Sequence, residues 1–244
     1  MKLRVSLNTL LRAFYDCVHY PMILVPSVVL WILLLLLSEI SVSVSRLIES
    51  PVSIYAWFLV VSLGTLFIIS FIAAGLIGLS WSIVRHRKAS ISQFLTYSLK
   101  FGLKNFVVFV TLSIMGVGVW AIAHYGALFL GKSLDLGLSS AQALYILIYF
   151  IGIAGFLIFF SFASFYLVIE KSSLRKSFVL SRRLVSREYP FVLSTSIVFF
   201  ILFYFIDRIQ GIVGDLVIYG VLVPLVSLFL TRFVLSCRVD IISE

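Results

Sequence analysis

The sequence predicts an all-α integral membrane protein. Six transmembrane helices are expected, arranged as three repeats of a cytoplasmic amphipathic helix plus a transmembrane hairpin. Three observations predict this. Of 244 residues, 62% are hydrophobic and 12% charged, against about 45–50% and about 25% in soluble domains. The uncharged runs are long enough to cross a hydrocarbon core, which takes about 20 apolar residues as a helix. The Lys and Arg residues cluster between alternate runs. With a mean hydropathy of +1.18, an ordinary soluble domain, a disordered chain and a disulfide scaffold are all excluded.

The runs follow in order: 21–38, 50–84, 105–131, 136–169, 189–206 and 212–231, the last with Asp215 near its start. Barrel strands would be about 10 residues long and alternate in polarity. Uninterrupted apolar runs of this length satisfy their backbone in lipid only as helices. With their connections they nearly fill the chain, so residues 1–244 read as a single polytopic domain. The first run begins late and has no A-x-A site, so it is expected to remain as an anchor.

Of the 19 Lys and Arg residues, only Arg46, Lys132 and Arg208 lie outside the N-terminus, the second and fourth connections and the C-terminus. The positive-inside rule then places both termini and these two connections in the cytoplasm of a cell-membrane protein. Acidic residues divide evenly between the two sides, so the bias is cationic.

A unit recurs about every 84 residues, giving repeats of roughly 1–84, 85–168 and 169–244. The junctions read His19-Tyr20-Pro21, Lys104-Asn105-Phe106 and Glu188-Tyr189-Pro190. Each unit opens with an amphipathic segment. The first groups Leu3, Leu7, Leu10, Leu11, Phe14 and Val18 on one helical face, the second Ile91, Phe94, Leu95, Leu99 and Leu103, and the third Leu174, Phe178 and Val185. This is the period of a half-buried helix. Ser90 suits the cap of the second, and Ser172 or Ser173 that of the third.

Basic residues line the second and third segments: Arg85, Arg87, Lys88, Lys100 and Lys104, then Arg175, Lys176, Arg182, Arg183 and Arg187. Amphipathic helices of this kind lie in the headgroup plane, and each nearby cation adds about 1 kcal/mol of attraction to an anionic leaflet. One reading makes them topology determinants and connectors. The other makes them a binding surface for membrane lipids, anionic ones among them, or for a protein partner. Nucleic acid is not expected, since no recognition module accompanies the charge.

Within the spans, Ser70, Ala74, Gly78 and Ser82 form a stripe of small residues at i+4 spacing. Such stripes let helices approach closely in lipid, within one chain or between two copies. Gly116, Gly118, Gly152 and Gly155 read as further packing or bending points. His124 is the polar in-membrane candidate, either an interface residue or a proton relay. Pro224 is placed to kink the sixth span. Trp57, Tyr125 and Tyr145 suit an outer aromatic belt.

No catalytic residue is assigned. The chain has no HExxH, GxSxG or P-loop, and one histidine does not supply nucleophile, base and oxyanion site together. No cofactor or metal is expected. Cys17 and Cys237 lack ligand spacing and are expected to stay reduced. Transport of a small or lipid-like solute is the rival function. A water-filled cavity lined by Ser62, Thr65, Ser113, Ser161, Ser164 and Ser227 would favour it.

The stretch 168–183 reads VIEKSSLRKSFVLSRR. It resembles a motif of prokaryotic polytopic proteins, in which a span and an acidic residue precede a helix of the form A-x-x-x-S-[FW]-x-L-[ST]-[RK]. Ser177, Phe178, Leu180, Ser181 and Arg182 match its core. Ser173 or Leu174 stands where Ala is commoner. The sequence is similar to the membrane domain of some glycerophosphodiester phosphodiesterases and to six-span archaeal and bacterial proteins of unknown function. The resemblance implies a six-span membrane module that anchors or organises proteins or lipids. It transfers no phosphodiesterase activity, which belongs to a soluble barrel that this sequence does not contain, and no functional residue.

Overall fold

The computed structural model describes residues 2–48, 50–134, 138–155, 157–209 and 211–242. The side chains of residues 1–7 and 238–244, with Leu3 and Leu7 among them, lie outside the described set, as does the expected start of the fourth span at Leu136. The described residues form no strand. Six helical stretches are long and apolar enough to cross a membrane: Pro21–Ser45, Pro51–His86, Ile91–Ser133, Ser139–Ile169, Leu174–Asp207 and Val213–Cys237. The chain is therefore an all-α, multi-pass membrane protein.

Helix α1 (Lys2–His19) ends at Tyr20, whose φ of −124° and ψ of 66° break the helix. A 3-10 turn (Pro21–Ile23) leads into α2 (Leu24–Ser45). Pro21 opens that turn and Pro51 opens α3 (Pro51–His86), positions where the missing N–H costs nothing. Helix α4 spans Ile91–Ser133 and α5 Leu138–Gly155. A 3-10 turn (Leu157–Phe160) then precedes α6 (Ala163–Ile169) and α7 (Leu174–Asp207). Helix α8 (Ile212–Val217) passes through a π-helical turn (Ile218–Leu222) into α9 (Val223–Ile242).

Two helix boundaries are built alike. Helix α3 ends at Arg87 with φ +54°, and α6 is followed by Lys171 with φ +50°. Both are left-handed, an uncommon state for a residue with a Cβ. Each is followed by a serine N-cap. Ser90 Oγ accepts from the Gln93 amide at 3.2 Å and Ser173 Oγ from the Lys176 amide at 3.4 Å. Of the two expected caps for the third segment, Ser173 is the one used.

Three helices depart from the expected outline. The Lys104-Asn105-Phe106 junction is not a break: α4 runs straight through it as 43 residues, about 65 Å at 1.5 Å per residue. The reason is that Asn105 is buried and its Nδ2 donates to the Ser70 carbonyl at 2.8 Å, holding the helix against α3. The fourth span is interrupted by the 3-10 turn and α6. In the sixth, the π turn lies immediately before Pro224. Proline withholds the N–H that the Gly220 carbonyl would receive, and the Val223 amide bonds instead to Ile218 one residue further back. The junction before Pro190 is a kink, centred on Glu188 at φ −108° and ψ 23°.

Burial is concentrated at the end of the bundle that carries the charge-rich connections. One core joins Ala74, Ile77, Phe101, Val108, Phe165, Leu184 and Phe233. A second joins Ala13, Ile23, Leu79, Ile83 and Leu228. At the opposite end Tyr55, Leu59, Ile122, Tyr125, Phe200 and Phe205 are exposed. Side chains of this kind are compatible with lipid, which is no less apolar than they are.

Candidate functional site at the basic end

In α1 and the first stretch of α4 the amphipathic segments are seated chiefly by small and polar residues, whereas the third segment also buries Leu184. Helix α1 turns Ala13, Asp16 and Cys17 into the bundle and leaves Leu11, Phe14 and Val18 exposed. The first stretch of α4 buries Ser98, Phe101 and Gly102 and leaves Ile91, Leu95, Leu99 and Leu103 outside, Leu99 being 75% exposed. The third segment buries Ser177, Ser181, Leu184 and Val185. The expected apolar faces thus exist, but in α1 and α4 most of their described members point outward, while Leu10 and Phe94 are half-buried.

The basic residues flank these ridges. Arg85, Lys88, Lys100, Lys104, Arg175, Lys176, Arg182, Arg183 and Arg187 are all exposed. Arg187 Nε lies 3.6 Å from Glu188 Oε1, and Lys100 Nζ lies 5.7 Å from the centre of the Phe101 ring.

Arg87 does something else. Its Nη1 donates to Asp16 Oδ1 at 2.6 Å, while Arg232 of α9 donates to Asp16 Oδ2 through Nε at 3.1 Å and also through Nη2. Asp16 is fully buried and Arg232 nearly so. One carboxylate therefore joins the N-terminal helix, the α3–α4 connection and the C-terminal helix, and puts these three charged segments at one end. The same carboxylate, after burial itself, raises the Cys17 thiol above its ordinary range. The amphipathic pattern of α1 puts Asp16 off the leucine face and names no partner for it. Its spacing from Ala13, on a small-residue face opposite the leucines, was the only signal.

The serines of the 168–183 motif have structural work. Ser181 Oγ donates to the Phe159 carbonyl at 2.8 Å and accepts from the Phe162 amide at 3.1 Å. It thereby satisfies two backbone groups orphaned where the 3-10 turn ends. Ser177 Oγ donates to the Ser173 carbonyl at 2.8 Å and lies 3.1 Å from Ser172 Oγ.

The small-residue stripe lies inside the molecule. Ser70, Ala74, Gly78 and Ser82 are buried, and a Cβ on Gly78 would collide with the base of the Tyr97 ring. Gly152 abuts Val119, whereas Gly118 and Gly155 have nothing within 4 Å. His124 stacks on Trp120 with ring centres 5.3 Å apart and meets Tyr125 and Tyr145 edge-on. That is an aromatic cluster near one end. Trp57 Nε1 donates to the Ser41 carbonyl at 3.3 Å.

Of the hydroxyls expected to line a cavity, Ser161 lines one, beside Thr195 and Ser196. Thr65 and Ser161 bond to their own helical turns, and Ser227 pairs with Ser80 at 2.9 Å. Among the described residues no three His, Cys, Asp or Glu side chains are grouped to hold a metal. Two cavities flank α7 between Phe191 and Asp207. One of about 300 Å³ is lined chiefly by phenylalanines, and one of about 420 Å³ includes Asp207 and Asp215.

No family model matches the chain, and no characterised protein or solved structure matches it.

Proposed function

We propose that this is a non-enzymatic protein of the cell membrane, with both termini in the cytoplasm, that binds the anionic headgroups of the inner leaflet through its basic end. The outward ridge of Ile91, Leu95, Leu99 and Leu103 beside Lys100 and Lys104 is the observation that carries this. A solvent-facing helix would bury its leucines. One that leaves them out, with lysines alongside, is shaped to lie at the headgroup boundary with its apolar side in the acyl region. Leu11, Phe14 and Val18 give α1 the same form. The outward arginines of the third segment add charge without an apolar ridge, which suits contact with headgroups alone.

The three-unit organisation belongs to the same reading. The left-handed residues Arg87 and Lys171, and the capping serines behind them, recur at the expected period of about 84 residues. This supports a repeated cytoplasmic element. It is in keeping with the membrane module that the 168–183 motif resembles.

The test is native mass spectrometry of the full chain, extracted gently and titrated with phosphatidylglycerol or phosphatidylcholine. Preferential retention of phosphatidylglycerol, lost in Arg182→Glu with Arg183→Glu, is the expected result. Equal retention of the two lipids, or retention untouched by the charge reversal, sinks the proposal. A stoichiometric second polypeptide in place of lipid would assign the surface to a protein partner.

A further inference from the structure

Helix α7 meets the last span through the Phe191–Phe233 and Phe199–Phe229 ring pairs, with centres 4.9 and 5.6 Å apart, and leaves space around them. A cavity of about 300 Å³ lies between the two helices, its wall including Phe191, Thr195, Phe199, Val226 and Phe229. A second, of about 420 Å³, continues toward the α7–α8 turn past Tyr204, Ile218 and Tyr219 to Asp207 and Asp215. Phe200 and Phe203 border both, so the two form one groove. Phe200 is 71% exposed, which makes it a lip, and the groove opens sideways where the bilayer would be.

Its origin is local. The π turn at Ile218–Leu222 widens the last span just before Pro224, and a π bulge re-aims the side chains around it. The kink at Glu188 sets the direction of α7. From Phe233, at the deep end, to Tyr219, at the mouth, the helix rises about 21 Å. One leaflet of hydrocarbon is about 15 Å. The groove is longer than that and ends against the core at the basic end, where Phe233 is buried, so an acyl chain entering at the mouth has room for its full one-leaflet depth.

The mouth carries both signs of charge. Asp207 and Asp215 line it. Arg208 stands beside it, its Nη2 donating to the Tyr204 hydroxyl at 2.8 Å and its guanidinium 4.9 Å above the Tyr204 ring. A headgroup with an ammonium and a phosphate complements this set, the ammonium donating to the carboxylates and the phosphate facing Arg208. A headgroup with phosphate alone would set its charge against two carboxylates.

We propose that this groove is a binding site for one phosphatidylethanolamine molecule, its acyl chain among the phenylalanines and its headgroup at Asp207, Asp215 and Arg208. The mouth of the site lies at the opposite end from the basic surface and has the opposite charge preference, so the site stands or falls separately.

The experiment is native mass spectrometry of the full chain, titrated with phosphatidylethanolamine or phosphatidylglycerol of identical acyl chains. Two variants fill the groove, Thr195→Trp and Ser196→Trp; Ser196 is exposed and tolerates bulk. A third, Asp207→Asn with Asp215→Asn, removes the mouth charge. Each filling variant is expected to lose phosphatidylethanolamine retention about tenfold and keep its phosphatidylglycerol retention. The double asparagine variant is expected to lose the preference between the headgroups by about the same factor. Unchanged phosphatidylethanolamine retention in Ser196→Trp, or in the asparagine variant, overturns the proposal. Equal loss of both lipids in both tryptophan variants also overturns it. Arg182→Glu with Arg183→Glu serves as the cross-check and leaves phosphatidylethanolamine retention intact.

Discussion

Removing the Asp16 carboxylate leaves two guanidinium groups without their partner, and the two are not equivalent. The Arg87 side chain is 57% exposed, so water and salt replace most of what it loses. The Arg232 side chain is 12% exposed and gives two donors to Asp16. Stripping the partner from a buried charge costs about 3–5 kcal/mol, whereas replacing both members with apolar groups is often neutral. Asp16→Ala is therefore expected to destabilise by about 3 kcal/mol or more, nearly all of it through Arg232. That corresponds to a fall of order 10 °C in the thermal midpoint, read by light scattering or intrinsic fluorescence in detergent. Asp16→Ala with Arg232→Met should recover most of the loss, and Arg87→Ala alone should cost under about 1 kcal/mol. A double-mutant cycle yields the coupling directly. An unchanged midpoint in Asp16→Ala, or a double variant as unstable as the single, would refute the argument that the buried carboxylate holds α1, α3 and α9 together.

Gly78→Ala drives a methyl group against the base of the Tyr97 ring and should cost about 1–3 kcal/mol, measured as a lower thermal midpoint; Gly118→Ala, in open space, should be neutral in the same assay. Ser181→Ala orphans the Phe159 carbonyl and the Phe162 amide and should cost about 1–3 kcal/mol, with faster amide exchange confined to residues 157–163. In a Cys237→Ser background, maleimide labelling of Cys17 should be slow at neutral pH and should reach half its limiting rate only above the ordinary thiol value of 9.0, because burial and Asp16 disfavour the thiolate. Asp16→Asn should bring that midpoint down. A C-terminal tag should be reached by protease only from the cytoplasmic side; access only from outside the cell would reverse the topology.

The six spans were legible because hydrocarbon imposes a length and forbids charge, and both constraints are written in single-residue composition. The serine caps were legible for a similar reason: Ser90 and Ser173 act on amides three residues away, within reach of local pattern. What was not legible depends on partners far along the chain. Asn105 was read as part of a junction. Its bond to the Ser70 carbonyl, across two helices, makes α4 continuous instead. The sense of the amphipathic faces was hidden too. Periodicity says that Leu95, Leu99 and Leu103 share a face, but not whether that face meets protein or lipid. In water the two would differ, whereas in a membrane both are favourable.

That ambiguity also explains how the two ends of the molecule divide. Where lipid and protein solvate leucine about equally, helices gain little from burying it, and close contact falls to small and polar residues. Those residues are concentrated at the basic end: Gly75, Gly78 and Gly102 against aromatic rings, Ser80 on Ser227, Ser181 on the broken backbone and Asp16 between two arginines. The opposite end has Phe, Leu, Ile and Tyr on its surfaces and few such contacts. It stays splayed, and the groove beside α7 is one consequence. A rigid basic end and an open apolar end follow from one sequence property, the uneven placement of small and polar residues along otherwise similar helices.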